Sequence, residues 1–366
     1  MRVFGITGTN GKTTTSWILR ELLGGGGLVT TVEVDTGSRH FSSGYTTPPL
    51  KVLKEIFAEM EGNGLKDCVM EVSSHAIHQH RTGDTIFAGC AFTNLTEDHL
   101  DYHKTMDAYF EAKADLFRQL AETNPGAPAV ICVDGDYGRK LAEICHQLPL
   151  TTIECGISVS EPELVDYIRE TCPLVGRYNV QNVLLAVSLA KAVGVSMERI
   201  RALIPSLRPR WGRLERVETL SAAEVFVDYA HTDDALANVL STVKEFTKGR
   251  LWAVFGAGGD RDAGKRPLMG AAAARYADRL VITSDNPRSE DPIEIINQIV
   301  AGLPGGALHY VEPDRRKAIF FALQGAKPGD VVVICGKGHE TTQTIGDKVL
   351  HFDDREVCGE FGMVLS

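Results

Sequence analysis

Nothing in this 366-residue chain is long and apolar enough to span a bilayer: the longest apolar runs are strand-length, and mean hydropathy is −0.07. An export segment, charged and then apolar, is missing as well, because Met1-Arg-Val-Phe runs straight into a first strand. These absences lead to the expectation of a cytoplasmic protein without a membrane partner. Positive charge is in short supply. Lys and Arg number 38 against 48 Asp and Glu, giving a formal charge of −10, and no segment gathers a basic stripe, so nucleic acid is not expected as a partner. No C-x-x-C pair occurs. The eight cysteines (Cys68, Cys90, Cys132, Cys145, Cys155, Cys172, Cys335 and Cys358) lie mostly in or beside apolar strands. They read as buried free thiols in a reducing compartment, neither disulfides nor a zinc site.

Hydrophobic residues make up 43% of the chain, ample for the cores of two domains. The most informative stretch is Gly5-Ile-Thr-Gly-Thr-Asn-Gly-Lys-Thr-Thr-Thr15, between the first strand and the helical spacing of Ser16-Trp-Ile-Leu-Arg-Glu-Leu-Leu. Strand, glycine-rich turn and helix are the context of a phosphate-binding loop. Backbone N–H groups freed by Gly8 and Gly11, with the positive end of the helix, suit phosphate oxygens. Lys12 adds a point charge, and the Thr13 hydroxyl is placed to ligate Mg²⁺. Ile6 departs from the strict G-x-x-x-x-G-K-[ST] pattern. A turn that merely caps a buried helix is the plainer alternative; Gly-Lys-Thr in this context favours phosphate.

Up to about residue 208, apolar strands (65–72, 87–93 and 129–133) alternate with helical patterns such as Met106–Leu120 and Asn179–Ala192, which argues for a mostly parallel α/β sheet. A Pro- and Arg-rich break follows at 205–213. The alternation then restarts with strand 225–228, helix Thr232–Phe246, strand 250–255, helix Lys265–Ala277, strand 279–283 and a final strand, 330–335. The chain is therefore expected to hold a domain over 1–208 and a smaller doubly wound domain over 209–366. Gly256, Gly258 and Gly259 fail the G-x-G-x-x-G spacing at Asp260-Arg261, so a nicotinamide cofactor is not expected.

Glu71 closes the strand expected beside the phosphate loop, where a carboxylate is a natural Mg²⁺ ligand, although an ordinary strand-end acid would look the same. Asp98-His99-Leu-Asp101-Tyr-His103 concentrates acids and imidazoles at another strand end and suits either a second metal or a surface loop. Lys113, in a helix with aromatic anchors, reads from its residues alone as a solvated lysine. In the second unit, four strands discharge charged loops at one edge: Asp228-Tyr-Ala-His231, Asp260-Arg261-Asp262, Asp285-Asn286-Pro-Arg288 and Gly336-Lys-Gly-His-Glu340. That edge is where open α/β sheets bind ligands. Arg261 and Arg288 could grip carboxylates and Glu340 an ammonium, which suits an amino-acid-like ligand.

With those residues in view, the chain resembles the Mur ligase family, and within it the UDP-N-acetylmuramoyl-tripeptide synthetase branch, over nearly its whole length. The matching segments are Thr7–Thr14, Thr46-Thr-Pro48, Glu71-Val-Ser-Ser-His75, Phe92–His103, Gly176–Asn182, Gly212–Glu215, Val227–His231, Gly258–Asp262, Asp285–Arg288 and Gly336–Glu340. The resemblance implies a central P-loop ATPase-like domain and a C-terminal Rossmann-like domain that binds amino acid and ATP. It also implies an ADP-forming amide ligase that uses ATP and two Mg²⁺ ions: ATP phosphorylates a substrate carboxylate, an amine attacks the acyl phosphate, and the tetrahedral adduct collapses to amide and phosphate.

By the same resemblance, Gly8, Thr9, Asn10, Gly11, Lys12, Thr13 and Thr14 would hold the phosphates, and Asn182, Arg213, Asp228 and His231 would contact ATP. Thr13 and Glu71 would ligate the first Mg²⁺, and His99 with a carbamylated Lys113 the second; Lys12, Glu71, His99 and Lys113 form the catalytic set. Thr46, Thr47, Ser73, Gln79 and Arg81 match the acyl-donor positions. Arg261, Asn286, Arg288, Gly336 and Glu340 match the incoming diamino acid, in the Asp-Asn-Pro-Arg form associated with meso-diaminopimelate.

Two departures from the family bear on the substrate. Its uridine-nucleotide domain would precede Met1, and Asp233 stands where proline is usual. The first expectation is therefore a ligase that joins a diamino acid to a UDP-free carboxylate. The alternatives are the UDP-linked peptidoglycan precursor, with UDP recognition weakened or supplied by a separate protein, a folylpolyglutamate synthetase, and a non-catalytic ATP-binding regulator.

Overall fold

The apolar run at the N-terminus becomes β1 (Arg2–Thr7), a strand inside an eight-stranded sheet with β2 (Gly27–Val29), β3 (Val34–Asp35), β4 (His40–Phe41), β5 (Asp67–Glu71), β6 (Phe87–Phe92), β7 (Pro128–Cys132) and β8 (Thr151–Cys155). The order is β4-β3-β2-β5-β1-β6-β7-β8. The run from β2 to β8 is parallel, and β3 and β4 turn back antiparallel at one edge. Because β1 is covered on both faces, it reads as an unbroken hydrophobic run. Val3 joins a core with Phe87, Phe92, Phe110 and Phe117, whereas Phe4 and Ile6 join Trp17, Ile18 and Leu184 on the opposite face.

This computed structural model describes residues 1–208 and 212–364. The chain divides into two compact units, Met1–Arg208 and Pro209–Ser366. The second unit is built on β9 (Glu215–Val217), β10 (Glu224–Asp228), β11 (Leu251–Phe255), β12 (Arg279–Ile282), β13 (His309–Val311) and β14 (Val331–Cys335), in the order β13-β12-β11-β14-β10-β9. All neighbours in it are parallel except β9, which is antiparallel to β10. The α/β class expected from the sequence is the class observed.

The sequence reading does not mark β2, β3, β4, β8, β9 or β13, nor the last two strands of the chain. The strand at 330–335 is not the last, because β15 (Thr342–Ile345) and β16 (Lys348–His351) form a separate hairpin after it. Seven of the eight hairpin residues are exposed or half-exposed, so no apolar run marks the strands. The cue is Gly346-Asp347 in the turn, where Gly346 supplies φ +55°. Among the described residues no helix is long and apolar enough to cross a membrane. All eight cysteines are free, and all but the half-buried Cys172 are buried.

Candidate functional site

At the C-terminal end of β1 the chain turns through Gly8 (φ +145°) and Gly11 (φ +84°) into the helix Lys12–Leu23. Neither position tolerates a side chain. A Cβ on Gly8 would lie 1.8 Å from Thr93 Oγ1, and one on Gly11 would lie 2.3 Å from Asn182 Oδ1. No side chain caps this helix at Gly11, and no acid sits in its first turn, so its first N–H groups and positive end face the loop.

The loop is braced from β6. Asn94 accepts from the Asn10 N–H (2.9 Å) and donates to the Asn10 carbonyl (3.2 Å), Thr93 Oγ1 donates to the same carbonyl (2.6 Å), and the Thr9 N–H reaches the Asn94 carbonyl (2.9 Å). Asn182 accepts from Thr15 Oγ1 at 3.2 Å beneath Gly11, and Thr14 is half-buried at the helix start. Sequence reasoning passed over Thr93 and Asn94 as site residues although both lie in the Phe92–His103 segment.

The expected metal pair comes together by strand register. Ile6 of β1 pairs with Glu71 of β5, which brings the fully buried Glu71 carboxylate to 2.7 Å from Thr13 Oγ1. Glu71 also accepts from the N–H (3.1 Å) and hydroxyl (3.2 Å) of Thr31, which the sequence did not single out.

Lys113 corrects its sequence reading. It is 1% exposed, not solvated, and its Nζ donates to the Gly8 carbonyl at 2.8 Å. The Lys12 ammonium reaches the same carbonyl at 3.0 Å and that of Thr9 at 2.8 Å. Burial, and then the Lys12 charge, hold the Lys113 amine well below the usual lysine range, with Asp98 opposing. Tyr109 lies beneath the amine, 4.7 Å from ring centre to Nζ, and bonds Thr9 Oγ1 at 3.1 Å.

His99 stands at φ +56°, its ring 5.9 Å from Tyr109 and 4.8 Å from His75. Burial pushes its imidazole down to about 4, against the buried Asp98. His103 is likewise lowered to about 4 by burial and bonds Ser74 Oγ at 2.9 Å. Among the described residues no three His, Cys, Asp or Glu side chains close on one point, so the acids and imidazoles of 98–103 do not form a cation cage by themselves. Mg²⁺ does not require one, since it takes one or two carboxylates and completes its shell with water and phosphate oxygens. The donor set of Thr13 and Glu71 at an open helix N-terminus fits that ion and a polyphosphate.

The five expected acyl-donor residues form one hydrogen-bonded chain beside Glu71. Thr46 accepts from Thr31 (2.9 Å), and Thr47 Oγ1 donates to the Glu71 carbonyl (2.9 Å) and accepts from the Ser73 N–H (3.0 Å). Arg81 reaches the Thr47 carbonyl (3.2 Å) and grips Gln79 Oε1 twice (3.0 and 2.6 Å).

In the second unit, Asp228 is turned inward to accept from the N–H groups of Leu214 (2.6 Å) and Ala230 (2.7 Å), and burial raises its pKa. Arg213 lies over Tyr229 at 4.8 Å, and His231 Nδ1 is 2.9 Å from the Tyr229 carbonyl oxygen. Asn286 donates to Glu340 (3.0 Å) and accepts from Lys337 (3.2 Å), a fully buried lysine that sequence reasoning missed. Burial, then Asp285, raise the Glu340 carboxyl, with Lys337 opposing from 3.6 Å. Gly336, at φ +114°, has no room for a Cβ, which would lie 2.3 Å from Asp285 Oδ2. Arg288 half-emerges beside this group with NH1 on the Gly259 carbonyl, while Arg261 is exposed on the neighbouring loop.

The Mur ligase middle domain matches residues 6–190, and the Mur ligase, glutamate ligase domain matches residues 212–338. The UDP-N-acetylmuramoyl-L-alanyl-D-glutamate–2,6-diaminopimelate ligase of Synechococcus sp. (strain WH7803) is 44% identical, covering 97% of this chain and 76% of its own. The protein of the same name from Bacillus cereus is 40% identical, covering 98% and 78%. A solved structure of a ligase with that name superposes at TM-score 0.62 with 32% identity, covering 100% of this chain and 79% of the other. A Mycobacterium tuberculosis folylpolyglutamate synthase complexed with ADP shares the fold at TM-score 0.67 and 18% identity, covering 92% and 88%. The chain belongs to the Mur ligase family, whose members are ATP- and Mg²⁺-dependent, ADP-forming amide ligases acting on small molecules.

Proposed function

We propose that this chain joins 2,6-diaminopimelate to the glutamate carboxylate of a UDP-N-acetylmuramoyl dipeptide, in the cytoplasm, where its buried thiols stay reduced. The observation that carries the reading is the cluster of Asn286, Lys337, Glu340 and Arg288. It offers a carboxylate to an ammonium and a guanidinium to a carboxylate within one loop group, as a diamino diacid needs. The relatives' names favour the UDP-linked donor over the UDP-free carboxylate expected first. The regulator alternative has no support, because Lys12, Glu71, His99 and Lys113 are all present.

The residues divide the work as follows. The N–H groups of 8–14 and Lys12 would hold phosphate oxygens, and Asn182, Arg213, Asp228 and His231 would hold the rest of the nucleotide. Thr13 and Glu71 would take the first Mg²⁺, and His99 with a carbamylated Lys113 the second; the bound ions neutralise phosphoryl charge. Thr46, Thr47, Ser73, Gln79 and Arg81 would orient the acyl donor. Arg261, Asn286, Arg288, Gly336 and Glu340 would orient the amine.

Phosphate release with ATP, Mg²⁺, diaminopimelate and the UDP-dipeptide tests the reading directly. Turnover is expected. ATP binding without turnover would return the donor to a UDP-free carboxylate. Arg288→Ala is expected to raise the KM for diaminopimelate about 30-fold, the worth of a charge-assisted hydrogen bond, with the KM for ATP unchanged. Equal losses for both substrates would undo the pocket assignment.

A further inference from the structure

We infer that the hairpin β15–β16 is a splint for diamino-acid recognition, with Gln343 and Thr344 as positioning residues that act through the segment Asp285–Arg288. The inference rests on the amine-pocket reading of Arg288 given above. Four hydrogen bonds join the two segments. Gln343 Nε2 donates to the Asp285 carbonyl (2.8 Å), and the Thr344 N–H donates to Asn286 Oδ1 (2.9 Å). The Arg288 N–H donates to the Thr344 carbonyl (3.1 Å), and the Gly346 N–H donates to the Arg288 carbonyl (2.7 Å). Every residue of the segment except Pro287 is therefore tied to the hairpin.

Two consequences follow for the pocket. Arg288 stands at φ +52°, a left-handed conformation that residues with a Cβ disfavour and that surroundings must enforce. Here its backbone is clamped on both sides, like one rung of a third strand beside Ile345. Asn286 can point its amide either way in principle. With Oδ1 taken by the Thr344 N–H and by Lys337 Nζ, its Nδ2 is left to face Glu340. The hairpin thereby sets both the bearing of the guanidinium and the donor presented to the carboxylate.

The hairpin itself adds little to the core. Gln343 is its one buried residue, and Ile345, Val349 and Leu350 lie exposed. Two strands alone are marginal in water, so the bonds to the segment anchor the hairpin as much as they anchor the pocket. The fully buried Arg266 also pairs with Glu290 (2.8 Å), which accepts from the Asp260 N–H, so the loops bearing Arg261 and Arg288 are bonded to each other as well.

Gln343→Met keeps the side-chain volume and removes the donor. In the full chain it is expected to raise the KM for diaminopimelate about fivefold, the scale of one lost hydrogen bond. The kcat and the KM for ATP should hold, and the preference for diaminopimelate over lysine should narrow by a similar factor. A lower Tm with the KM and the preference unmoved would reduce the hairpin to a structural role and overturn the inference. Should Gln343→Met fail to fold, Gly346→Ala carries the same test: the turn is open, with no atom within 4 Å of an added Cβ, and φ +55° is strained for alanine. Arg288→Ala, measured alongside, separates the two levels. If it raises the KM while the hairpin variants do not, the splint is wrong and the pocket stands. If none of them moves the KM, the pocket assignment falls and takes the splint with it.

Discussion

Lys113→Met is expected to cut turnover about 10³-fold, the order lost when a preorganised electrostatic group is removed from a reacting centre, and to leave the Tm unchanged or higher. The two effects pull apart because of where the amine sits. It is enclosed on a helix whose buried face carries Tyr109, Phe110 and Phe117, and burial with the nearby Lys12 charge favours its neutral form. Burial already works against the ammonium, so exchange for a thioether of similar length loses one hydrogen bond and gains apolar packing. The Gly8 carbonyl it leaves keeps Lys12 Nζ as a donor at 3.0 Å, so no acceptor is stranded.

Function is another matter. A neutral amine can add to carbon dioxide and release a proton, giving the carbamate that a second cation beside His99 would need. Methionine cannot. The measurement is phosphate release paired with thermal unfolding, run with and without added bicarbonate. Wild-type turnover depleted of bicarbonate should recover on its addition, and the variant should stay silent. A variant that keeps about a tenth of the activity or more would remove Lys113 from the chemistry, and a fall in Tm matching the loss would make its role structural.

How much of this was legible beforehand depended on burial. Parallel strands covered on both faces, such as β1 and β14, announce themselves as apolar runs, and the loops at their C-terminal ends could be placed from order alone. The two-residue strands β3 and β4 are too short, and the exposed hairpin buries too little, to leave a pattern, so the element that ties down Arg288 is marked only by its Gly346-Asp347 turn. Lys113 was misread for a different reason. It lies four residues from both Tyr109 and Phe117, on the stripe that buries Tyr109, Leu116, Phe117 and Leu120, so helical spacing placed it inside. Its charge points to solvent while its period points to the core, and the period is right. The same bias hides Lys337, which lies two residues past the end of the buried β14. A cation at a position whose period demands burial is a sequence signal for a functional site, because water-free charge persists only where something compensates it.

Glu71→Gln gives the complementary test, since here the charge can be removed without disturbing the network. Glu71 Oε1 accepts from Thr13 Oγ1 and the Thr31 N–H, and a glutamine oxygen in that place keeps both bonds. The other oxygen faces Thr31 Oγ1, whose single proton is shared between Glu71 and Thr46. In the variant the Thr31 proton turns to Thr46, and its oxygen accepts from the new amide, so every buried polar group stays partnered and the fold should hold. What disappears is one negative charge beside the Thr13 hydroxyl, which a divalent cation requires and a neutral hydrogen-bond network does not. Turnover at ordinary Mg²⁺ is expected to fall about 10²- to 10³-fold. The half-saturating Mg²⁺ concentration should rise about tenfold or more, as mass action against a weakened site demands, and excess Mg²⁺ should restore part of the rate. Titrating Mg²⁺ at fixed ATP reads this out. If the rate falls with the Mg²⁺ dependence unchanged, Glu71 serves the acyl donor through Thr46 and Thr47 and not the metal, and if the rate holds, the carboxylate belongs to the scaffold alone.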